Sequence, residues 1–294
     1  GGPVRSAELD AERASALASR NLYGRERVRF DAVKIVLDGV PTDGHTAAMV
    51  EPYADADDDD PRARGLLQFP QDELDRIVAE YDRQGLLVKF HSAGDQAVRA
   101  GLDAIAFARA ANGYSGLRHE VGHNSFVQAD DISRARKLGA TFEMSPYIWY
   151  PHPIIPAIER AVGEERMRRW MPVRELLDAG VSVVPGSDSD WLDVRTVNPW
   201  VAIETLVTRR APGDTGPALA EDQGITLEQA FDLFSIDAAR QLGNGARTGR
   251  IEQGMIADVI VVDRDPFATP VEQIHTVQVT KTIIEGEIVF ERDA

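Results

Sequence analysis

Short apolar runs alternate with longer amphipathic stretches along this chain, and that alternation narrows its fold more than any other feature. In residues 86–95, LLVKFHSAGD, an apolar run leads through Lys89 and Phe90 to His91, then breaks into Ser92-Ala93-Gly94-Asp95. A short apolar run bounded by turn residues reads as a buried parallel strand. Residues 117–123 repeat the design and end on His123, and residues 181–188 repeat it and end on Asp188. In α/β barrels and open α/β sheets, chemistry sits at the C-terminal ends of strands. Three strand ends that deliver His, His and Asp point to one metal site. Imidazole nitrogen and carboxylate oxygen are what a zinc-like ion takes, with an open position left for water.

Taken in order, residues 6–26 are polar and alanine-rich and read as a helix. Residues 28–38, VRFDAVKIVLD, read as a strand buried on both faces. Residues 39–65 form a long loop, with five aspartates among residues 55–60. Such a run reads as a solvated acidic surface; a calcium site is the sharper alternative, but the spacing matches no calcium loop. Leu74, Ile77, Val78 and Tyr81 then recur at helical spacing within 70–84. Further helices are expected at 96–111, 129–138, 172–179 and 199–210, and a strand at 140–144. An insertion carries Trp149, Tyr150 and His152 and continues as a helical stretch to Trp170.

Five strands, each followed by a helical segment, argue for parallel βα units. Five are too few to close an eight-stranded barrel, which takes about 250 residues. An unclosed arc would expose two sheet edges. The chain is therefore either an open sheet or a barrel with three further strands on its N-terminal side. After a linker at 212–224 comes a helix at 226–242, with Thr226 and Gln229 spaced for a capping box. The texture then changes to short strands at 258–262, 277–280, 282–284 and 288–290. The expected division is a partial (β/α) barrel over 1–245 and a small β-rich unit over 246–294.

A formal net charge of -16 opposes binding to nucleic acid or to an anionic membrane surface. The absence of cysteine removes disulfides, thiolate metal sites and a cysteine nucleophile. No run of 18 apolar residues and no signal peptide is seen, so a cytoplasmic location is the default expectation. No glycine-rich phosphate loop of the P-loop or dinucleotide type is present, which weakens a phosphate-binding barrel.

His119 lies four residues before His123, and even spacing in a strand puts both on one face. His119 reads as a packing or supporting residue; His45, His152 and His275 are unplaced by spacing, and His275 reads as a surface residue of the tail. Lys34 lies inside the apolar segment 33–37, where a buried lysine is costly unless paired or neutralised. Two readings stay open: a lysine reaching an acid at the strand end, or an amine that has reacted with carbon dioxide to give an anionic carbamate ligand.

The segments VKIVLDG at 33–39, HSAGD at 91–95, RHEVGH at 118–123 and GSD at 186–188 together resemble the metal-dependent amidohydrolase superfamily. The similarity is greatest to its amidohydrolase-3 (YtcJ-like) branch. Residues 249–263, GRIEQGMIADVIVVD, are similar to the segment leading back into that family's small β-sandwich. The resemblance spans about 28–290 and implies a (β/α)8 TIM-like barrel, with strands four to eight here, beside a β-sandwich. It implies that Lys34 is a carboxylated bridging lysine, that His91 and His123 are metal ligands, and that Asp188 both binds metal and shuttles the proton. One or two divalent ions, zinc in the first instance, would be the cofactor.

Three features depart from the family pattern. The His-x-His pair of the family's first strand is absent, the N-terminal half of the β-sandwich is absent, and the residue before His123 is Gly122 where relatives carry Glu. With the strand count, the first two give the expectation that the sequence lacks the N-terminal part of a longer enzyme. The activity implied is hydrolysis of a C–N, amide-type bond of a small molecule, with Asp188 as base and then acid. The alternative is a non-catalytic or regulatory relative with an incomplete metal site. Trp149, Tyr150 and Trp191 follow strand ends and are candidates to line the substrate pocket. Dimers are common in the family, but no segment here marks an interface.

Overall fold

The computed structural model describes residues 14–25, 28–57, 59–148, 154–188 and 197–293. Five strands, β1 (Ala32–Val36), β2 (Leu87–Ser92), β3 (Glu120–His123), β4 (Thr141–Met144) and β5 (Ser182–Pro185), form one parallel sheet in the order β1-β2-β3-β4-β5. Sequence neighbours are sheet neighbours throughout. Crossovers between parallel strands are right-handed almost without exception, so an order that never reverses places the connecting helices on one face. A doubly wound sheet, by contrast, reverses its order and carries helices on both faces. The open-sheet alternative gives way to a TIM-like arc.

The two faces of this arc differ. Val88, Phe90, Val121, Phe142 and Val183 point to the helix side and are at most 1% exposed. Each such burial contributes about 1.5–3 kcal/mol. The other face carries Lys34, Lys89, Glu120, Thr141 and Ser182 as one in-register row. The next row toward the C-terminal ends is Val36, His91, Gly122, Glu143 and Val184. Polar residues at alternate positions thus line the inside of the arc, and apolar ones lie under the helices.

The helices that matter for the site are α1 (Gln71–Arg83), α2 (Asp95–Asn112), α3 (Ala129–Leu138) and α4 (Pro199–Thr208). α3 ends on Gly139 at φ 65, the left-handed position that lets the chain turn directly into β4. The helix expected at 226–242 does begin with the Thr226–Gln229 capping box, but it widens to a π-turn at Leu233–Asp237. There the Ser235 hydroxyl bonds back to the Phe231 carbonyl at 2.7 Å, a contact that loosens the regular ladder.

Three boundaries differ from expectation. The N-terminal helix stops at residue 19 and passes through a 3-10 turn, Arg20–Tyr23, to Gly24. β1 starts at Ala32 rather than at 28, because Arg25 and Val28 pair with each other instead. In the tail, β6 (Val259–Val262), β7 (Val279–Ile284) and β8 (Glu287–Glu291) form an antiparallel sheet. The two short runs expected at 277–280 and 282–284 are one strand, since no turn residue separates them.

The tail is not independent of the arc. Ile274 and Val277 are buried in the main core. Glu204 on α4, 1% exposed, accepts the Gly213 and His275 backbone N–H groups and His275 Nδ1, each at 2.7 Å. His275 is therefore an anchor of the tail rather than a surface residue. Among the described residues, no helix is long and apolar enough to cross a membrane.

Candidate active site

Strand parity places His91 on the inside of the arc, with Leu87 and Lys89, while Val88, Phe90 and Ser92 are buried under helices. His123 has the opposite parity, since it pairs with Ser92. A left-handed backbone at His123, φ 69, breaks that parity. The two imidazoles meet with ring centroids 4.2 Å apart and planes tilted by 55°. Two adjacent strand ends thus bring two histidines to one place, by a turn that spacing alone does not reveal.

His91 Nε2 lies 3.1 Å from the Gly39 carbonyl oxygen. A carbonyl only accepts, so Nε2 carries the proton and Nδ1 keeps the lone pair. Asp38 Oδ1 stands 3.8 Å from the same nitrogen. Asp38 is 2% exposed and accepts the backbone N–H groups of Ala48, Ala93 and Gly94 at 2.8–2.9 Å. It ties the end of β1, its following loop and the end of β2 together. Burial pushes its carboxyl up to about 7, against those three donors.

Burial also pushes both histidines toward the neutral form. His91 is lowered by desolvation and by the Lys34 charge, with Asp188 opposing. His123 is lowered to about 3 by desolvation and by the nearby His91, Lys34 and Lys89 charges. Neutral imidazoles are the form that binds metal. Lys34 is thus within electrostatic reach of both rings, and Asp188 within reach of His91. Asp188 itself has a left-handed backbone, φ 50. Lys34 is exposed, contrary to the expectation of a buried lysine, because its row faces the open inside of the arc.

Below the histidines lies an ionic group that sequence reading did not single out. Lys89 Nζ stands 3.3 Å from Glu143 Oε2 and 3.7 Å from Glu120 Oε2. Gln241 donates to Glu120 Oε1 at 2.8 Å and to the Arg118 carbonyl at 2.9 Å. Burial raises Glu143 above the ordinary carboxylate range, against the attraction of Lys89. The available signal was the Lys89-x-His91 spacing, which in a strand puts both side chains on one face.

His119 is away from this cluster. It is fully buried, with Nδ1 accepting the Val88 N–H at 3.0 Å and Nε2 donating to Asp82 Oδ1 at 3.0 Å. It is a packing residue, as expected. His45 sits between Asp55, at 2.8 Å, and Asp60, at 3.5 Å, and stacks on Tyr53. Part of the acidic run is thus bound to a histidine rather than merely solvated. Trp149, Tyr150 and Trp191, expected at the substrate pocket, and His152 lie outside the described residues. Among the described residues, no group of three or more His, Asp or Glu side chains is arranged to hold a metal ion by itself.

Two imidazoles meet at adjacent parallel strand ends, with Lys34 on β1 and Asp188 after β5, so this is an α/β protein whose polar side chains gather at the C-terminal ends of its strands. The chain belongs to the amidohydrolase family, whose model matches residues 2–290. It is 28% identical over 267 residues to the Bacillus subtilis protein YtcJ, which carries an amidohydrolase name; the match covers 90% of this chain and 48% of that one. It is 28% identical over 225 residues to an N-substituted formamide deformylase of Arthrobacter pascens, covering 76% and 40%. Its fold resembles that of an uncharacterized metal-dependent hydrolase from Pyrococcus furiosus, with TM-score 0.67, 26% identity, and coverage of 86% and 49%. The chain spans about half the length of the curated relatives it matches first.

Proposed function

We propose that this chain carries metal-binding strands of a hydrolase that cleaves an amide-type C–N bond of a small molecule. The observation that carries the reading is the meeting of two imidazoles, both pushed toward the neutral form, with Lys34 in electrostatic reach of both and Asp188 in reach of His91. The Arthrobacter relative, a deformylase of N-substituted formamides, supports the C–N bond. The Pyrococcus furiosus neighbour, a metal-dependent hydrolase, supports a divalent ion. In this reading the arc corresponds to strands four to eight of a (β/α)8 barrel, and β6 to β8 belong to a β-sandwich.

The donor set fits a divalent ion, zinc in the first instance, when Lys34 is counted. His91 offers Nδ1, His123 a neutral ring, and Asp188 a carboxylate oxygen. Lys34 becomes an anionic oxygen donor once its amine has added carbon dioxide and lost a proton. A bound ion supplies a water acidified toward neutrality and polarises the carbonyl under attack. Asp188 accepts the proton of the attacking water on its carboxylate and returns it to the leaving nitrogen. His91, fixed through Nε2 to Gly39, presents one tautomer only.

A second reading is a non-catalytic relative with an incomplete metal site. The lack of a three-donor group of His, Asp or Glu among the described residues favours it. Elemental analysis after zinc loading, with a hydrolysis assay on N-alkyl formamides, separates the two. Bound zinc and amine release support the hydrolase. No zinc above background and no release leave the non-catalytic reading.

A further inference from the structure

One carboxylate touches both strand ends that carry the site. Glu143 on β4 is 5% exposed and is the register partner of Gly122 on β3 and Val184 on β5. A Cβ on Gly122 would lie 2.8 Å from the Phe90 carbonyl oxygen and 2.9 Å from Glu143 Oε2, and one on Gly186 only 1.5 Å from Oε1. Neither glycine has a left-handed φ, so backbone freedom does not call for them. At Gly186 space for the carboxylate does; at Gly122 the carboxylate and the Phe90 carbonyl do so together.

The positions of these glycines matter. Gly122 immediately precedes His123, and Gly186 lies two residues before Asp188. Both of those functional residues hold left-handed backbones, φ 69 and φ 50. Such conformations at non-glycine residues persist only where the surroundings over-determine them. The carboxylate that fills the gap is itself fixed. Lys89 Nζ stands 3.3 Å away, and Ser145 Oγ donates to Oε1 at 3.3 Å. The Gly186 N–H bonds the Met144 carbonyl at 2.7 Å, which keeps the segment after β5 in step with β4.

We propose that Glu143 is a positioning residue, a wedge between Gly122 and Gly186 that sets the left-handed turns of His123 and Asp188. This rests on the reading of His123 and Asp188 as the working residues of the site. It also gives a physical sense to Gly122: on β3 there is no room for a side chain between the Phe90 carbonyl of β2 and the Glu143 carboxylate of β4.

The test is imidazole 15N NMR on the full chain, first without added metal and then with zinc ion alone. Glu143→Ala removes the wedge, Glu143→Asp withdraws the carboxylate by one methylene, and Glu143→Gln keeps the shape. The expected result is a shift of the His123 ring signals in the Ala and Asp variants, near-unsubstituted positions in the Gln variant, and unmoved His119 signals in all three. If the Ala variant fails to fold, the Asp and Gln variants decide. The proposal is overturned if His123 is unmoved by the Asp variant, or moves as far in the Gln variant as in the Asp variant. The zinc arm tests the metal reading separately. If zinc leaves the His91 and His123 signals of the unsubstituted chain unmoved, the metal reading fails while the wedge is still judged by the metal-free spectra.

Discussion

His91 and His123 stand with ring centroids 4.2 Å apart although strand parity directs them to opposite faces of the sheet. The left-handed turn at His123 is what brings them together. If the pair serves metal, either His91→Ala or His123→Ala lowers zinc affinity at least ~10-fold, since even supporting residues of metal sites carry that much. A competition titration against a chelator reads the affinity. Equal zinc affinity in the unsubstituted chain and in both variants would show that these rings are not ligands.

Asp82, 2% exposed at the end of α1, collects four side-chain donors. His119 Nε2 and Arg109 Nη1 reach Oδ1 at 3.0 Å, Ser115 Oγ reaches it at 2.5 Å, and Asn112 reaches Oδ2 at 2.9 Å. Burial pushes this carboxyl up, but the hydrogen bonds outweigh it and hold it below the ordinary range. The knot joins α1, α2 and the entry to β3, at the far end of the strands from the histidine pair. Asp82→Ala leaves the largely buried Arg109 guanidinium without its counter-charge, a loss of up to about 3–5 kcal/mol. Urea denaturation measures it, and a loss under ~1 kcal/mol would mean that water replaces the carboxylate.

Much of this arrangement was legible in the sequence. His91, His123 and Asp188 follow apolar runs and precede turn residues, and that pattern marks a strand end whatever the neighbours are. The parallel βα units were legible from the alternation, whereas the unreversed strand order came from the structure. Glu143 was not legible, because a four-residue strand buried throughout, TFEM, gives no alternation to tell its inner from its outer face. The exposure of Lys34 was hidden for a related reason: an apolar-looking strand does not announce that one of its faces lines an open arc. Asp82 was hidden by distance, since its partners lie 27 to 37 residues away in the chain.

His119 makes stability depend on pH. Its Nδ1 accepts the Val88 N–H, so a second ring proton has nowhere to go. Desolvation and the Arg109 charge lower its pKa, and Asp82 on the other side only partly compensates. The folded pKa lies below that of the unfolded chain. Stability from this group is therefore full above the unfolded value near 6.5 and falls as pH drops below it. A histidine that stays neutral in the fold costs up to about 1.4 kcal/mol at pH 5.5. Urea titrations at pH 7.5 and 5.5 test this, with His119→Gln as the comparison. The expected outcome is a smaller difference between the two pH values in the variant; an unchanged difference assigns the pH dependence to other groups.

Glu204 couples the tail to the arc. Its two oxygens accept the Gly213 N–H, the His275 N–H and His275 Nδ1, and the residue is 1% exposed. A buried acceptor that leaves its donors unsatisfied costs about 1–3 kcal/mol, more where charge is involved. Glu204→Leu removes the acceptor and keeps the bulk on α4. The segment Val271–Thr276, whose Ile274 is buried against the arc, should then open more often. Hydrogen exchange at the Gly213 and His275 amides should accelerate by at least ~10-fold, which corresponds to about 1.4 kcal/mol of local opening energy. Exchange in α2, which Glu204 does not touch, should stay unchanged. Equal acceleration in both places would mean that Glu204 supports the whole fold, and that the tail has no local anchor at His275.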